Sequence, residues 1–249
     1  MQLSRWVKKW IPTSLRALLK QLTNRDRMYS YSQFGEDSYL NAYFKGKTWE
    51  INKSTFLPKN GFYVDIGAYS PTECSNTYTF YKQGWHGINV DATPGVIGSF
   101  NLLRRRDTNL NLAVGNNSED IVFYSWGTPC VFNTADPALA KDRSAMLGIT
   151  AKESTVKCIT LAELLDTYLP DNKKIDFLTI DVEGLDLDVL KSNDWSRYRP
   201  ELIVAEVYAD DINQLVNAEL FQLMKEQSYE CIAWLKPSII FRDIRTISN

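Results

Sequence analysis

Acids recur where a polypeptide chain can use them. Asp65 lies inside Phe62-Tyr63-Val64-Asp65-Ile66-Gly67-Ala68, a run of β-formers that a glycine interrupts, and Asp91 closes Ile88-Asn89-Val90-Asp91. Asp181 and Glu183 are separated by one residue in Ile180-Asp181-Val182-Glu183-Gly184, and Glu206 follows Leu202-Ile203-Val204-Ala205. Each belongs near the carboxyl end of an apolar strand, the edge outside which open α/β sheets bind ligands. An acid on the second strand suits ribose hydroxyls, so Asp91 points to a nucleoside-containing cofactor. Successive strand residues face opposite ways, so Asp181 and Glu183 share a side if extended geometry persists to the tip. Acids crowded at one sheet edge repel unless a cation, a bound positive group or protonation relieves them. The alternative is that Asp181 and Glu183 only cap the helix starting at Gly184.

The elements that must position these acids can be read in order. Gly67 marks a point where backbone turns sharply or approaches something closely. The polar stretch Ser70, Pro71, Thr72, Glu73, Ser75, Asn76 supplies helix-start chemistry ahead of Tyr78, Phe80 and Tyr81. Periodicity predicts a helix over Thr93–Arg106, with Arg104-Arg105-Arg106 as a solvated helix end. Strands are expected at Asn109–Val114, Ile121–Trp126, Thr155–Ile159, Ile175–Ile180 and Leu202–Val207. Thr160 and Glu163 have capping-box spacing. A helix over Asp211–Gln227 precedes two terminal strands, Tyr229–Leu235 and Ser238–Ile244, joined by Lys236-Pro237 and therefore antiparallel. Residues 127–154 lack clean periodicity, and a loop of that length reads as a lid or a binding segment for the acceptor. His86, the only histidine, precedes the second strand at the end opposite the acids and reads as incidental to chemistry.

Composition sets the outer limits. The 249 residues suit one large α/β domain, and 44% hydrophobic with 23% charged residues is ordinary for a globular chain. A net charge of −2 gives no reason to expect nucleic acid. The charge is uneven: residues 1–27 hold seven basic groups against one acid, leaving an acidic body behind a basic arm. Residues 2–22 place Leu3, Trp6, Val7, Trp10, Leu15, Leu18, Leu19 and Leu22 at helical spacing, with Pro12 splitting the run. Such an arm, residues 1–30, lies on an anionic membrane surface or packs on its own domain or a partner subunit in an oligomer. The four cysteines are scattered, without C-x-x-C, which argues against structural zinc and for reduced thiols. Neither a membrane-spanning run nor a signal peptide is visible, so a cytoplasmic protein is expected, with the arm as a peripheral contact at the inner face of the membrane.

Five short stretches, taken together, resemble one family. Ser32-Gln33-Phe34-Gly35-Glu36-Asp37, Asp65-Ile66-Gly67-Ala68, Ser75-Asn76-Thr77-Tyr78, Gly84-Trp85-His86-Gly87 and Ile180-Asp181-Val182-Glu183-Gly184 occur in the order of FkbM methyltransferases, between about Tyr31 and Tyr208. The resemblance implies an α/β, Rossmann-like class I fold over residues 31–249, a mostly parallel twisted sheet with helices on both faces and an antiparallel C-terminal hairpin. It implies methyl transfer from S-adenosylmethionine to a hydroxyl, often on a sugar or polyketide, here read as a cell-envelope or lipid-linked glycan. Asp65 and Gly67 would lie beside the methionine half and Asp91 would hold the ribose. Gln33, Ser75 and Asn76 would close the pocket. Asp181 and Glu183 would face the acceptor, as base directly or together with a divalent cation. Tyr69 and Pro71 depart from the general motif, which has a later glycine, and restrict the turn's backbone. A nicotinamide oxidoreductase would also explain Asp91 but needs G-x-G-x-x-G, which is missing. A non-catalytic scaffold would bind S-adenosylmethionine without turning it over.

Overall fold

The structure, a computed structural model, describes residues 29–46 and 60–246; the helices expected within residues 2–22 and most of the polar loop at 45–60 lie outside the described residues. All elements below belong to the unit Tyr31–Asn249. In chain order they are α1 (Glu36–Phe44), β1 (Phe62–Ile66), α2 (Tyr78–Lys82), β2 (His86–Val90), α3 (Ile97–Leu103), β3 (Thr108–Leu110), β4 (Ala113–Val114) and β5 (Ile121–Ser125). There follow α4 (Pro137–Leu147), β6 (Lys152–Val156), β7 (Cys158–Ile159), α5 (Leu161–Tyr168), β8 (Phe177–Ile180) and α6 (Asp186–Lys191). The last are β9 (Leu202–Glu206), α7 (Ile212–Asn217), α8 (Glu219–Glu226), β10 (Tyr229–Leu235) and β11 (Ser238–Asp243).

The main sheet has the order β10-β11-β9-β8-β1-β2-β3. Strands β3, β2, β1, β8 and β9 are parallel, and β11 runs antiparallel to both β9 and β10. The Rossmann-like α/β class with its antiparallel hairpin is therefore the observed one. Every residue of β1 is buried, as expected of a central strand covered on both faces. Alternation divides its side chains. Phe62, Val64 and Ile66 join Leu178, Ile180 and Ile203 in a core that α5, α6 and α8 cover through Leu164, Leu190 and Met224. Tyr63 faces the other way, with Phe177, Leu202 and Val204, beneath Leu40 and Phe44 of α1, Phe80 of α2 and Trp85. There Phe44, Phe80, Trp85 and Phe177 meet with ring centroids 4.8–6.2 Å apart, the spacing of favourable edge and tilted contacts.

Several expected elements are shorter or split, each for a visible reason. The helix expected over Thr93–Arg106 is only α3, and Arg104 is not solvated: it has no exposed surface. The strand expected over Asn109–Val114 breaks into β3 and β4. Asn111 donates its amide to the carbonyls of Asp91 (2.7 Å) and Thr93 (3.0 Å), and β4 leaves the main sheet to pair with β7. The strand expected over Thr155–Ile159 likewise divides into β6, paired with β5, and β7. Residues 127–154 are not a plain loop, because they contain α4, whose N-cap Asp136 accepts from Ala138 and Leu139 and whose C-cap Gly148 is left-handed. Of its residues only Ala140 is buried, so no apolar stripe marked it in the sequence. The helix expected over Asp211–Gln227 breaks at Ala218, which is extended, into α7 and α8. The Thr160–Glu163 capping box forms with both reciprocal hydrogen bonds.

Candidate functional site

A cleft of about 600 Å³ opens at the carboxyl ends of β1, β2, β8 and β9, and Gln33, Gly67, Asp91, Asp181, Glu183 and Glu206 all line it. Its size is that of an enzyme ligand site. Gly67 makes the first wall possible. It has φ +82°, and a Cβ there would lie 1.8 Å from the carbonyl oxygen of Asp181, so no other residue could turn the chain across that strand tip. The backbone N–H groups of Gly67 and Ala68 donate to Val90 O, which ties the turn to β2. Tyr69, the bulky residue after this turn, is itself left-handed with φ 52° and lines the cleft.

Asp91 follows the last residue of β2 and is buried. Its Oδ2 accepts from Tyr69 N at 2.7 Å and its Oδ1 from Thr93 N at 2.7 Å. Burial pushes its carboxyl up, and these backbone donors oppose the rise. A carboxylate oxygen has more than one acceptor site, so Asp91 can still receive two hydroxyls from the cleft. Beside it Ala92, Leu112 and Ala113 form an apolar wall. An adenosyl group fits this donor set: a fixed carboxylate for a cis-diol, and apolar surface for a base.

Other expected residues are placed differently. Asp65 and Ser75 are buried and are not part of the cleft lining. Asp65 accepts from Thr77 Oγ1 at 2.7 Å, and burial, partly offset by Thr77 and Arg104, pushes its carboxyl up to about 6. Ser75 accepts from Tyr78 N at 3.2 Å, at the start of α2. Asn76 donates to Thr179 Oγ1 at 2.9 Å and lines a second, small cavity together with Gln33, Asp181 and Glu206. Thus the Asp65 backbone leads into the turn at the cleft while its side chain serves the interior.

That interior is organised by Arg104, a residue that sequence reasoning misplaced. Its guanidinium donates to Asp107 Oδ2 (2.9 Å), the Pro71 carbonyl (3.0 Å), Tyr63 Oη (2.8 Å) and Thr77 Oγ1 (2.9 Å). Pro71 and Thr77 bracket the segment between the Gly67 turn and α2, so one buried cation holds that segment to the sheet. A run of three arginines after a helix gave no signal that the first of them turns inward.

At the tip of β8, extended geometry does not persist to Glu183. Strand β8 stops at Ile180, and Glu183 is left-handed with φ 57°. Glu183 reaches the cleft through this turn, and its Oε2 accepts from Arg143 of α4 at 2.5 Å. Asp181 stays in the cleft with its carboxyl pushed well above the ordinary range, first by burial and then by repulsion from Glu206, Asp186 and Glu183. Glu206, the last residue of β9, is also pushed up by burial, against the Tyr208 hydroxyl that donates to it at 2.8 Å. Tyr208 lies two residues past a strand's carboxyl end, a position that could have been read from sequence; the residue is 72% exposed and lines the cleft. Segment 127–154 contributes Cys130, Val131, Asn133, Thr134 and Ala135 to the same lining. Among the described residues no group of three or more His, Cys, Asp or Glu is arranged to hold a metal ion, and no helix is long and apolar enough to cross a membrane.

The chain is similar in structure to several methyltransferases. One is methyltransferase FkbM from Methylobacillus flagellatus KT, at 14% identity and TM-score 0.46 over 83% of this chain and 50% of that one. Another is a TehB-like SAM-dependent methyltransferase from Corynebacterium glutamicum, at 10% identity and TM-score 0.39 over 92% of this chain and 96% of that one. A third is the 1,6-didemethyltoxoflavin-N1-methyltransferase of Burkholderia thailandensis, bound to 1,6-didemethyltoxoflavin and S-adenosylhomocysteine, at 12% identity and TM-score 0.39 over 98% and 92%. The chain spans half the length of the first of these structures. Among the curated proteins none matches it. The family model of the methyltransferase FkbM domain matches residues 65–231, well over half of the sequence and all but the first of the stretches that carried the resemblance. The chain belongs to the FkbM methyltransferase family, whose methyl donor is S-adenosylmethionine.

Proposed function

We propose that this protein is an O-methyltransferase that moves the methyl group of S-adenosylmethionine to a hydroxyl on a sugar, within a cell-envelope or lipid-linked glycan. The observation that carries the reading is Asp91, a carboxylate anchored by two backbone donors at the tip of β2 and facing a cleft whose far side holds Asp181 and Glu206. The sulfonium supplies an already activated methyl group, so the chain has two tasks: to align the acceptor oxygen and to take its proton. Asp91 holds the ribose; Gln33, the Gly67 turn and Asn76 enclose the methionine half. Asp181 takes the acceptor's proton, because burial and neighbouring acids give its carboxylate a high proton affinity. Glu183, its charge answered by Arg143, orients the acceptor. An exposed tyrosine ring beside carboxylates suits a sugar, whose apolar face stacks on the ring while its hydroxyls reach the acids. Segment 127–154 sets which sugar is admitted, and the basic arm holds the enzyme peripherally at the inner face of the membrane.

The test is methyl transfer from isotope-labelled S-adenosylmethionine to isolated cell-envelope glycans, with the labelled position identified by NMR. A labelled methyl ether on a sugar supports the reading, and labelled nitrogen or carbon overturns it. For the arm, liposome flotation of chains with and without residues 1–27 is decisive: equal flotation removes the membrane role.

A further inference from the structure

Asp186 brings two acids side by side. Its buried carboxylate accepts from the backbone N–H of Glu206 through Oδ1 (3.0 Å) and from that of Val182 through Oδ2 (3.4 Å), so it fastens the tips of β8 and β9 together. The parallel register pairs Phe177 with Leu202, Leu178 with Ile203 and Thr179 with Val204. Asp181 follows the last residue of β8 and Glu206 is the last residue of β9, the strand paired beside it. Both line the main cleft, and both also line the small cavity behind it, which Glu36 and Ser238 close. Two carboxylates in one half-buried place cannot both ionise freely, so the protonation of each bears on the other.

We propose that Asp181 and Glu206 act as a single proton-sharing unit whose protonation is set by the charge of the bound methyl donor: the unit gives up its proton when a sulfonium occupies the cleft and takes one back from the acceptor. This deepens the methyltransferase reading and rests on it. A positive sulfur nearby stabilises the doubly ionised pair and so expels the shared proton to solvent. In the transfer step the acceptor oxygen bonds to the methyl carbon as the carbon–sulfur bond breaks with its electrons to sulfur. The hydroxyl proton passes to the pair. The sulfur is then neutral, and the pair again carries one proton, so charge is conserved around the cycle.

The surroundings favour a shared proton in the absence of donor. Asp65 of β1, Glu183 at the β8 tip and Asp186 of α6 all bear on Asp181, and Glu36 of α1 and Glu183 bear on Glu206. Opposing them, Arg143 answers Glu183 at 2.5 Å, Ser238 and the Phe34 N–H satisfy Glu36, and Tyr208 donates to Glu206. Lys236 is the only basic side chain lining the cleft among the described residues, and its ammonium donates to the Asp210 carbonyl at 3.3 Å.

S-Adenosylmethionine and S-adenosylhomocysteine differ by one methyl group and one positive charge, so a comparison of the two isolates the effect. Calorimetric titration of the full chain with each ligand, in buffers of different ionisation enthalpy, counts the protons released. Above the ordinary carboxylate range, near neutral pH, S-adenosylmethionine should release about half to one proton more than S-adenosylhomocysteine. The difference should vanish in acid, where the pair holds its proton against the sulfonium, and in strong alkali, where the pair is already bare. Glu206→Gln and Asp181→Asn should each cut it by at least about half, with S-adenosylhomocysteine still bound. Equal proton counts for the two ligands in the unmodified chain overturn the proposal, and need no variant to fold. So does an unchanged difference in Glu206→Gln. If neither ligand binds, the methyltransferase reading itself has failed, an outcome distinct from binding with equal counts.

Discussion

Replacing Arg104 by methionine should be among the most damaging single changes in the chain. Arg104 and its ion-pair partner Asp107 have no exposed side-chain surface, and Nε lies 2.9 Å from Asp107 Oδ2. Removing one partner of a buried pair leaves the other charge uncompensated, at about 3–5 kcal/mol. The Pro71 carbonyl, which accepts from Arg104 Nη1 at 3.0 Å, loses that donor as well. Against a typical total of about 5–15 kcal/mol, this loss leaves the fold marginal. Asp107 keeps donors in Tyr63 Oη, Gly87 N and Asn89 Nδ2, so neutralising it should recover part of the loss. Arg104→Met with Asp107→Asn should therefore be at least about 1–2 kcal/mol less harmful than the sum of the single changes. Urea unfolding of the four chains at neutral pH measures this coupling directly. A cost below about 1 kcal/mol for Arg104→Met, or strict additivity, would show that the buried cation does not hold the segment after Gly67 to the sheet.

Gly67→Ala combines a φ of +82° with a Cβ driven to 1.8 Å from the Asp181 carbonyl. It should cost at least about 2 kcal/mol and abolish S-adenosylhomocysteine binding, and wild-type melting and affinity would contradict this. Burial lifts the Asp186 carboxyl from an ordinary 3.8 to about 7 despite its two backbone donors. Because the folded value is the raised one, its contribution is full below about pH 4 and is lost as pH rises through about 7, at most on the order of 4 kcal/mol. Asp186→Asn should flatten the decline in urea midpoint between those pH values, and an unchanged slope would refute it. Tyr208→Ala changes a residue that is 72% exposed, so stability should stay within about 0.5 kcal/mol while KM for the proposed sugar acceptor rises. An unchanged KM would remove the stacking role.

Much of this architecture is legible from local patterns because local chemistry decides it. The β1 strand, the Gly67 turn, the Thr160–Glu163 box and the terminal hairpin each follow from a few adjacent residues, and each occurs where expected. The failures involve partners distant in sequence. Arg104 is drawn inward by Tyr63, Pro71 and Thr77, which no periodicity can anticipate. Asn111 breaks a strand because it satisfies carbonyls at Asp91 and Thr93. Helix α4 carries no periodic signature because its exposed sides leave no apolar stripe. At the site, the acids were identifiable as strand-end residues, but their orientation was not. Asp65 turns into the interior, Glu183 enters the cleft through a left-handed turn, and Asp181 shares the small cavity behind the cleft with Glu206.

Titration of S-adenosylhomocysteine into the full chain and its Asp91→Ala variant tests most directly whether the strand-edge cleft is the methyl-donor site. Saturable one-site binding is expected, weakened by about ten- to a hundredfold in the variant through the loss of one charge-assisted pair of ribose hydrogen bonds. Absence of binding to the unmodified chain, or equal affinity in both, would contradict it.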